Sequence, residues 1–124
     1  AVSARGFSVA YDTAINIVAA YETIKFGNGD GEAAAERAAR YERADLLIID
    51  DFGMVKLDGQ IQHDFEQIID DRYNRKALIL ASQLPVADWY DVFQSELIAE
   101  ACLDRIVHKA IKFDLKGESL RKKY

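Results

Sequence analysis

The amino-acid sequence predicts an α/β fold in which helices cover both faces of a parallel sheet. Short apolar runs alternate along the chain with longer amphipathic stretches, the pattern of strands connected by helices. Two of the apolar runs, at residues 46–49 and 77–81, are continuous rather than alternating. Continuous apolarity indicates burial on both faces, which is the usual state of a central strand in a parallel sheet.

The remaining elements follow from periodicity and from residues that break helices. A short aromatic and β-branched run at 7–11 predicts the first strand, and Asp12 and Thr13 can cap a helix that runs to about residue 26. The glycines between 27 and 31 interrupt that helix, and the alanine-rich segment at 32–43 resumes it. Further helices are expected at 60–74, 86–93 and 95–108, and a last strand is expected at 110–115.

Composition limits the class of protein. The chain has 124 residues, half of them apolar, with one proline and a net charge of −5. This is the composition of one soluble globular domain spanning residues 1–124, and no segment approaches the roughly 20 apolar residues of a membrane span. The single cysteine, Cys102, excludes a disulfide framework and a metal site with several cysteines. We therefore expect a protein of the reducing cytoplasm that does not enter a membrane.

The charge is unevenly distributed. Residues 101–124 carry seven Lys or Arg and three Asp or Glu, a net charge of +4, whereas residues 1–100 carry −9. Contact with nucleic-acid phosphates is therefore expected only near the C-terminus, where a solvated run of charge is the simpler interpretation. At the other end, residues 1–6 resemble the last turn of a helix with Gly6 as its cap. This pattern predicts at least one further helix, and the strand before it, upstream of Ala1.

The strongest chemical signal is a pair of adjacent acids after the second strand. Asp50 and Asp51 follow four apolar residues, which places them at the carboxyl end of a buried strand, where open α/β sheets bind their ligands. In P-loop NTPases the first acid of such a pair holds Mg²⁺, usually through water, and the second polarises the attacking water. The alternative is that the two acids only cap the following turn.

Weaker candidates lie further along the chain. Ser82 and Gln83 end the next strand, where a polar side chain can contact a γ-phosphate or orient water, although polar residues end most strands. Arg105 lies at the border of the apolar face of its helix, and it can be either a surface group or an arginine finger that reaches a nucleotide in a neighbouring subunit. Arg121 follows a glycine after the last predicted strand and by default belongs to a solvated tail.

Other reactive residues have structural interpretations. His63 and His108 have no partners at metal-ligand spacing, and Cys102 lies on the core side of its helix, where a buried thiol is inert. Trp89 and Tyr90 are expected to pack the short helix onto the sheet. The sequence contains no phosphate loop of the G-x-x-x-x-G-K-[ST] type, so these residues alone cannot form a complete nucleotide site.

Several motifs resemble the IstB/DnaC group of AAA+ ATPases. Residues 44–53 (ADLLIIDDFG) resemble the Walker B segment, and residues 81–89 (ASQLPVADW) resemble the sensor 1 strand and following helix of IstB-type transposition helpers. Residues 103–108 (LDRIVH) and 117–121 (GESLR) are similar to their closing segment, whereas 9–16 (VAYDTAIN) and 25–28 (KFGN) are more similar to DnaC/DnaI-like helicase loaders. The resemblance covers nearly the whole chain, and its motifs occur in the right order.

This resemblance implies a P-loop NTPase (AAA+) sheet of strand order 5-1-4-3-2, with the first strand and the phosphate loop missing from this chain. The strands starting at residues 7, 46, 77 and 110 would then be the second to fifth. It also implies ATP and Mg²⁺ as ligands, with Asp50 holding the metal and Asp51 activating water. Gln83 would be the sensor 1 residue, with Ser82 as the alternative, Arg105 the finger and Arg121 sensor 2.

The function implied by the resemblance is that of an ATP-dependent, DNA-associated ATPase that assists transposition as a homo-oligomer with a transposase. Two alternatives remain open at the level of sequence. The first is a loader that acts on a replicative helicase, and the second is a non-catalytic α/β interaction module. The missing phosphate loop favours the module, whereas the adjacent acids favour an ATPase.

Overall fold

The computed structural model describes residues 6–73 and 75–109, which form a parallel sheet with flanking helices. The strands are β1 (Val9–Thr13), β2 (Leu46–Asp50) and β3 (Ala77–Leu80), and they lie in the order β1-β2-β3. Helices α1 (Ala14–Phe26) and α2 (Gly31–Arg43) connect β1 to β2, α3 (Gly59–Arg72) connects β2 to β3, and a 3₁₀ helix (Val86–Val92) and α4 (Glu96–Lys109) follow. The predicted parallel α/β fold is confirmed.

The strand order agrees with the order that the resemblance implies. Val9, Leu46 and Ala77 are neighbours across the three strands, so the second, third and fourth strands of the implied scheme lie side by side. β3 pairs with β2 along one edge, and no strand within the described ranges pairs with its other edge. The strand expected at 110–115 lies outside the described residues.

The boundaries of the elements differ from the predicted ones by one or two residues. β1 begins at Val9 rather than at residue 7, and α1 begins directly after Thr13, whose side-chain oxygen accepts a hydrogen bond from the backbone N–H of Asn16 at 3.1 Å. Asp30 caps α2 in the same way. The helix expected after β3 is a 3₁₀ helix of seven residues, which is longer than most 3₁₀ segments.

The two faces of the sheet are covered unequally in the described part of the chain, and the prediction that β3 is buried on both faces is wrong. Leu47 and Ile49 are fully buried and belong to one core with buried residues of all four α-helices. On the opposite face Val9, Tyr11 and Ile79 are each about half exposed. The described helices therefore cover one face, and β3, expected to be buried on both sides, is open on the other because nothing in the described part of the chain packs there.

A polar cluster fixes the carboxyl end of β1 to the first two helices. The carboxylate of Asp12 accepts hydrogen bonds from the backbone of Thr13 (2.9 Å), the side-chain amide of Asn16 (2.8 Å), the hydroxyl of Tyr41 (2.6 Å) and the guanidinium of Arg37 (3.4 Å). Although partial burial by itself raises the pKa of Asp12, these hydrogen bonds hold the pKa below its usual value. The cluster stabilises the packing of α1 against α2.

Candidate functional site

The two acids predicted from sequence lie at the carboxyl end of β2. Asp50 is the last residue of the strand, and Asp51 begins the following loop with a φ of 54°, a left-handed conformation that aspartate tolerates better than most residues. The backbone N–H of Asp51 donates to Oδ1 of Asp50 at 2.8 Å. The turn therefore presents two partly exposed carboxylates side by side at one edge of the sheet.

Tyr11 is a site residue that sequence reasoning missed. Its hydroxyl donates a hydrogen bond to Oδ2 of Asp50 at 2.5 Å, and this bond lowers the pKa of Asp50 and raises the pKa of Tyr11. Tyr11 pairs in register with Ile48, two residues before Asp50, so its side chain lies on the same face as the carboxylate. The alternation of side-chain direction along β1 is the sequence signal that could have identified Tyr11.

The end of β3 adjoins the acid pair through a set of backbone contacts. The N–H of Ala81 donates to Ile49 O and the N–H of Phe52 donates to Ala81 O, both at 2.9 Å. The hydroxyl of Ser82 donates to Phe52 O at 2.5 Å and accepts from the N–H of Leu84 at 3.0 Å. These bonds hold the two loops after β2 and β3 together.

The same contacts distinguish Ser82 from Gln83. The hydroxyl of Ser82 is engaged on both sides by the neighbouring backbone, so it is a structural group. Gln83 is exposed, and within the described ranges its side chain makes no hydrogen bond. Of the two polar residues left open by the sequence, Gln83 is the one available to a ligand.

Aromatic packing and a glycine support this edge of the sheet. Phe52 is buried between Trp89, at 5.1 Å between ring centroids, and Phe93, at 6.2 Å, so the 3₁₀ helix packs on the loop that carries the acids. Gly53 has a φ of 100°, and a Cβ atom there would lie 2.5 Å from the side chain of Leu84. Trp89 is buried as expected, whereas the expected packing of Tyr90 is wrong because that residue is half exposed.

The acid pair suits a divalent cation that is shared with a second ligand. Among the described residues no group of three or more His, Cys, Asp or Glu is arranged to hold a metal. Mg²⁺ commonly binds one or two carboxylates and completes its coordination with water and phosphate oxygens. Each oxygen of Asp50 accepts one hydrogen bond and retains a further lone pair, so the residues present fit that ion.

Arg105 is held away from the acid pair in its own chain. Its Nε lies 2.8 Å from Oδ1 of Asp70 in α3, and its Nη1 donates to Ala101 O at 3.0 Å. Arg72, two residues after Asp70, donates to Ala77 O, so this part of α3 lies at the amino end of the sheet. Because a strand rises about 3.3 Å per residue, the opposite ends of β2 are on the order of 13 Å apart. This distance separates the amino end of the sheet, near Arg105, from the acids at the carboxyl end.

Other predicted residues have no place near the acids. Arg121 and the basic tail lie outside the described residues. His63 is exposed and lies 3.8 Å from Glu66. Cys102 is fully buried, and burial raises the pKa of its thiol to about 12, so it stays neutral at physiological pH.

A second residue missed from sequence is Arg72 at the end of α3. It is only 4% exposed, and its guanidinium donates to Tyr41 O (2.6 Å), Ala44 O (2.7 Å) and Ala77 O (2.9 Å). Burial lowers the pKa of Arg72, although the side chain remains charged at neutral pH. Arg72 lies seven residues after Phe65 and therefore on the apolar side of the helix. This spacing is the sequence signal that could have predicted its burial.

The parallel sheet, with acids at the end of a central strand, defines an α/β fold of the AAA+ P-loop class. Its relatives among solved structures include AMPPCP-bound DnaA from Aquifex aeolicus (27% identity, TM-score 0.58, covering 78% of this chain and 29% of that one). A DNA replication initiation factor is also similar (26% identity, TM-score 0.63, covering 96% and 35%).

The family model for IstB-like ATP binding proteins matches residues 1–124, and the chain belongs to this family. An insertion sequence ATP-binding protein of Sinorhizobium fredii is 42% identical over 106 residues, which are 82% of this chain and 41% of the relative. Another from Geobacillus stearothermophilus is 34% identical over 119 residues, 95% of this chain and 45% of the relative. The chain thus spans less than half the length of these relatives.

No helix in the described part of the chain is long and apolar enough to cross a membrane.

Proposed function

We propose that the complete protein is a cytoplasmic AAA+ ATPase that assists the transposition of an insertion sequence. The observation that carries the proposal is the pair of carboxylates, Asp50 and Asp51, at the carboxyl end of β2. The available amide of Gln83 at the end of the adjacent strand supports it. Adjacent strand ends in parallel sheets are where such folds bind nucleotides.

In this proposal the chain is the C-terminal part of one AAA+ domain, and the phosphate loop precedes Ala1 in the complete protein. Among the described residues one edge of β3 has no partner strand, which supports this arrangement, because a first strand inserted there would bring the loop beside the carboxyl end of β3, one strand away from the acids. Unpaired backbone groups on such an edge favour the addition of a strand. ATP would then lie between the loop and the carboxyl ends of β2 and β3.

Each residue of the site has a role that follows from its chemistry. Bound Mg²⁺ supplies positive charge that offsets the charge of the phosphate oxygens. Asp50, oriented by the hydroxyl of Tyr11 and the N–H of Asp51, would hold that ion. The carboxylate of Asp51 accepts a hydrogen bond from the attacking water and orients it, and Gln83 donates from its amide to a γ-phosphate oxygen.

Arg105 serves a neighbouring subunit in this proposal. It lies toward the amino end of the sheet, whereas the acids lie at the carboxyl end, so it is placed away from a nucleotide bound to its own chain. An arginine at the surface of a second copy can stabilise the charge that develops on the transferred phosphoryl group. We therefore propose a homo-oligomer, assembled on DNA with a transposase, in which Arg105 completes the adjacent site and Arg121 binds phosphate as sensor 2.

The test uses the protein expressed from its complete reading frame. We expect ATP turnover in the wild type, a loss of 10²- to 10⁴-fold in kcat for Asp51→Asn, and nearly unchanged ATP binding. Arg105→Ala should abolish turnover with the same retention of binding. Asp58→Asn is the matched control, because Asp58 is exposed in the same loop and its side chain makes no capping hydrogen bond. Wild-type protein that binds no ATP would favour the non-catalytic interaction module.

The fold similarity to replication initiation proteins favours a second candidate function, the loading of a replicative helicase. The two functions differ in their partner and share the ATPase site. A pull-down with purified transposase and with purified replicative helicase, each with and without ATP, separates them. Retention of the transposase supports the proposal, and retention of the helicase alone supports the loader.

A further inference from the structure

The guanidinium of Arg105 lies in a cluster at the junction of α3 and α4. Asp70 Oδ1 accepts from Nε at 2.8 Å, Ala101 O accepts from Nη1 at 3.0 Å, and the guanidinium carbon lies 5.9 Å from the centre of the Tyr73 ring. The side chains of Arg105 and Asp70 are 34% and 50% exposed, respectively. The arginine is therefore fixed at three points while it remains partly open to solvent.

The donors that remain define what the group can bind. A guanidinium has five N–H donors, and the contacts with Asp70 and Ala101 use the one on Nε and one on Nη1. Within residues 6–73 and 75–107 the remaining three, one on Nη1 and both on Nη2, have no acceptor. Donors therefore remain on both terminal nitrogens, which form the outer edge of the guanidinium, the edge that binds two phosphate oxygens in a fork.

We propose that Asp70 is a positioning residue that holds Arg105 so that its outer edge can bind the nucleotide phosphate of a second copy of this chain. This inference rests on the function proposed above. A free arginine side chain loses rotamer entropy when it is fixed in one conformation. The ion pair with Asp70 removes that cost before the second copy arrives, because Nε is already bound.

The geometry favours positioning over a latch that sequesters the arginine. Asp70 contacts the inner nitrogen, Nε, and leaves the outer edge accessible, whereas a latch would occupy the phosphate-binding nitrogens. The pair is also partly solvated, so it can persist beside a phosphate without burying an unpaired charge. Asp70 therefore acts through Arg105 and does not itself contact the nucleotide.

The test compares Asp70→Ala with Asp71→Ala in the protein from the complete reading frame. Asp71 is the next residue in α3, is half exposed, and bonds Gln67 and Arg75 instead of Arg105. We expect Asp70→Ala to lower kcat by about tenfold, the order given by the loss of preorganisation, with unchanged ATP affinity and melting temperature. Asp70→Asn, which keeps an acceptor for Nε, should lie between Asp70→Ala and the wild type, and Asp71→Ala should match the wild type.

The turnover of a mixture of two variant subunits distinguishes the proposed role of Asp70 from a purely structural one. Asp51→Asn subunits have an impaired acid pair and an intact Arg105. Asp70→Ala subunits have an intact acid pair and an Arg105 that is no longer held in position. If Asp70 acts on the neighbouring copy, an equal mixture turns over faster than the mean of the two separate proteins. Additive rates in the mixture would overturn the inference.

The remaining outcomes separate this inference from the proposed function. If Arg105→Ala abolishes turnover but Asp70→Ala does not lower it, the positioning role is wrong and the finger stands. If Asp70→Ala raises kcat, Asp70 is a latch, which also overturns the inference. If Arg105→Ala keeps full turnover, the finger assignment itself is wrong.

Discussion

Arg72 offers the strongest test of how the fold is held together. Replacing it with methionine keeps a similar apolar stem but removes all five donors from a site that is 4% exposed. Three backbone carbonyls, of Tyr41, Ala44 and Ala77, would lose a charged donor at 2.6 to 2.9 Å. Two of these carbonyls lie at the C-terminal end of α2, where helices lack internal donors.

The expected loss of stability follows from these contacts. Each buried acceptor left without a partner costs about 1–3 kcal/mol, and partial relaxation makes the total smaller than the sum. We expect Arg72→Met to lower the free energy of unfolding by about 3–5 kcal/mol. With a urea dependence of about 1.5 kcal/mol per molar, the midpoint falls by about 2–3 M.

The assay is urea unfolding of the chain followed by far-ultraviolet circular dichroism. Arg75→Met is the control, because Arg75 lies three residues later, is largely exposed, and makes an ion pair with Asp71 at 3.9 Å. An exposed pair contributes about 0–1 kcal/mol, so the control midpoint should hardly change. Equal midpoints for Arg72→Met and Arg75→Met would refute the reasoning that the buried guanidinium holds α2 and β3 together.

Two further predictions concern the site loop and the cluster at the end of β1. Gly53→Ala should lower stability by about 1–2 kcal/mol because of its left-handed φ, whereas Gly31→Ala, with nothing near its added Cβ, should be neutral or stabilising in thermal melts. The lowered pKa of Asp12 means that its stabilising effect is present above the unfolded value of about 3.9 and is lost as pH falls through the folded value. Melting temperature should therefore fall less steeply below pH 4 in Asp12→Asn than in the wild type, and parallel profiles would contradict this.

The fold was predictable where a pattern is local. The alternation of apolar runs and helical faces predicted the three described strands, and the position of Asp50 and Asp51 followed from the end of β2. The covering of the sheet was not predictable, because β3 has the composition of a buried strand while the burial of Ile79 depends on what packs against it. The composition of a strand indicates whether the strand suits a buried environment. It does not indicate which segment of the protein packs against the strand.

The contacts within the site depend on registers between distant segments. The bond from Tyr11 to Asp50 joins residues that are 39 positions apart, and it exists because β1 and β2 pair with Tyr11 opposite Ile48. The choice between Ser82 and Gln83 likewise needed the position of Phe52 O, which accepts the serine hydroxyl. The residue types identified candidate positions for the site. Which of these residues contact one another depends on the pairing of the strands.

The packing of Trp89 against Phe52 gives the chain an intrinsic optical reporter. Trp89 is the only tryptophan in the sequence, and its indole N–H donates to Leu84 O at 2.9 Å, so the ring contacts both loops at the carboxyl edge of the sheet. Indole emission depends on the polarity and hydrogen bonding around the ring. Rearrangement of either loop therefore changes the fluorescence of the unlabelled chain, which makes the kinetics of these loops accessible to stopped-flow measurement.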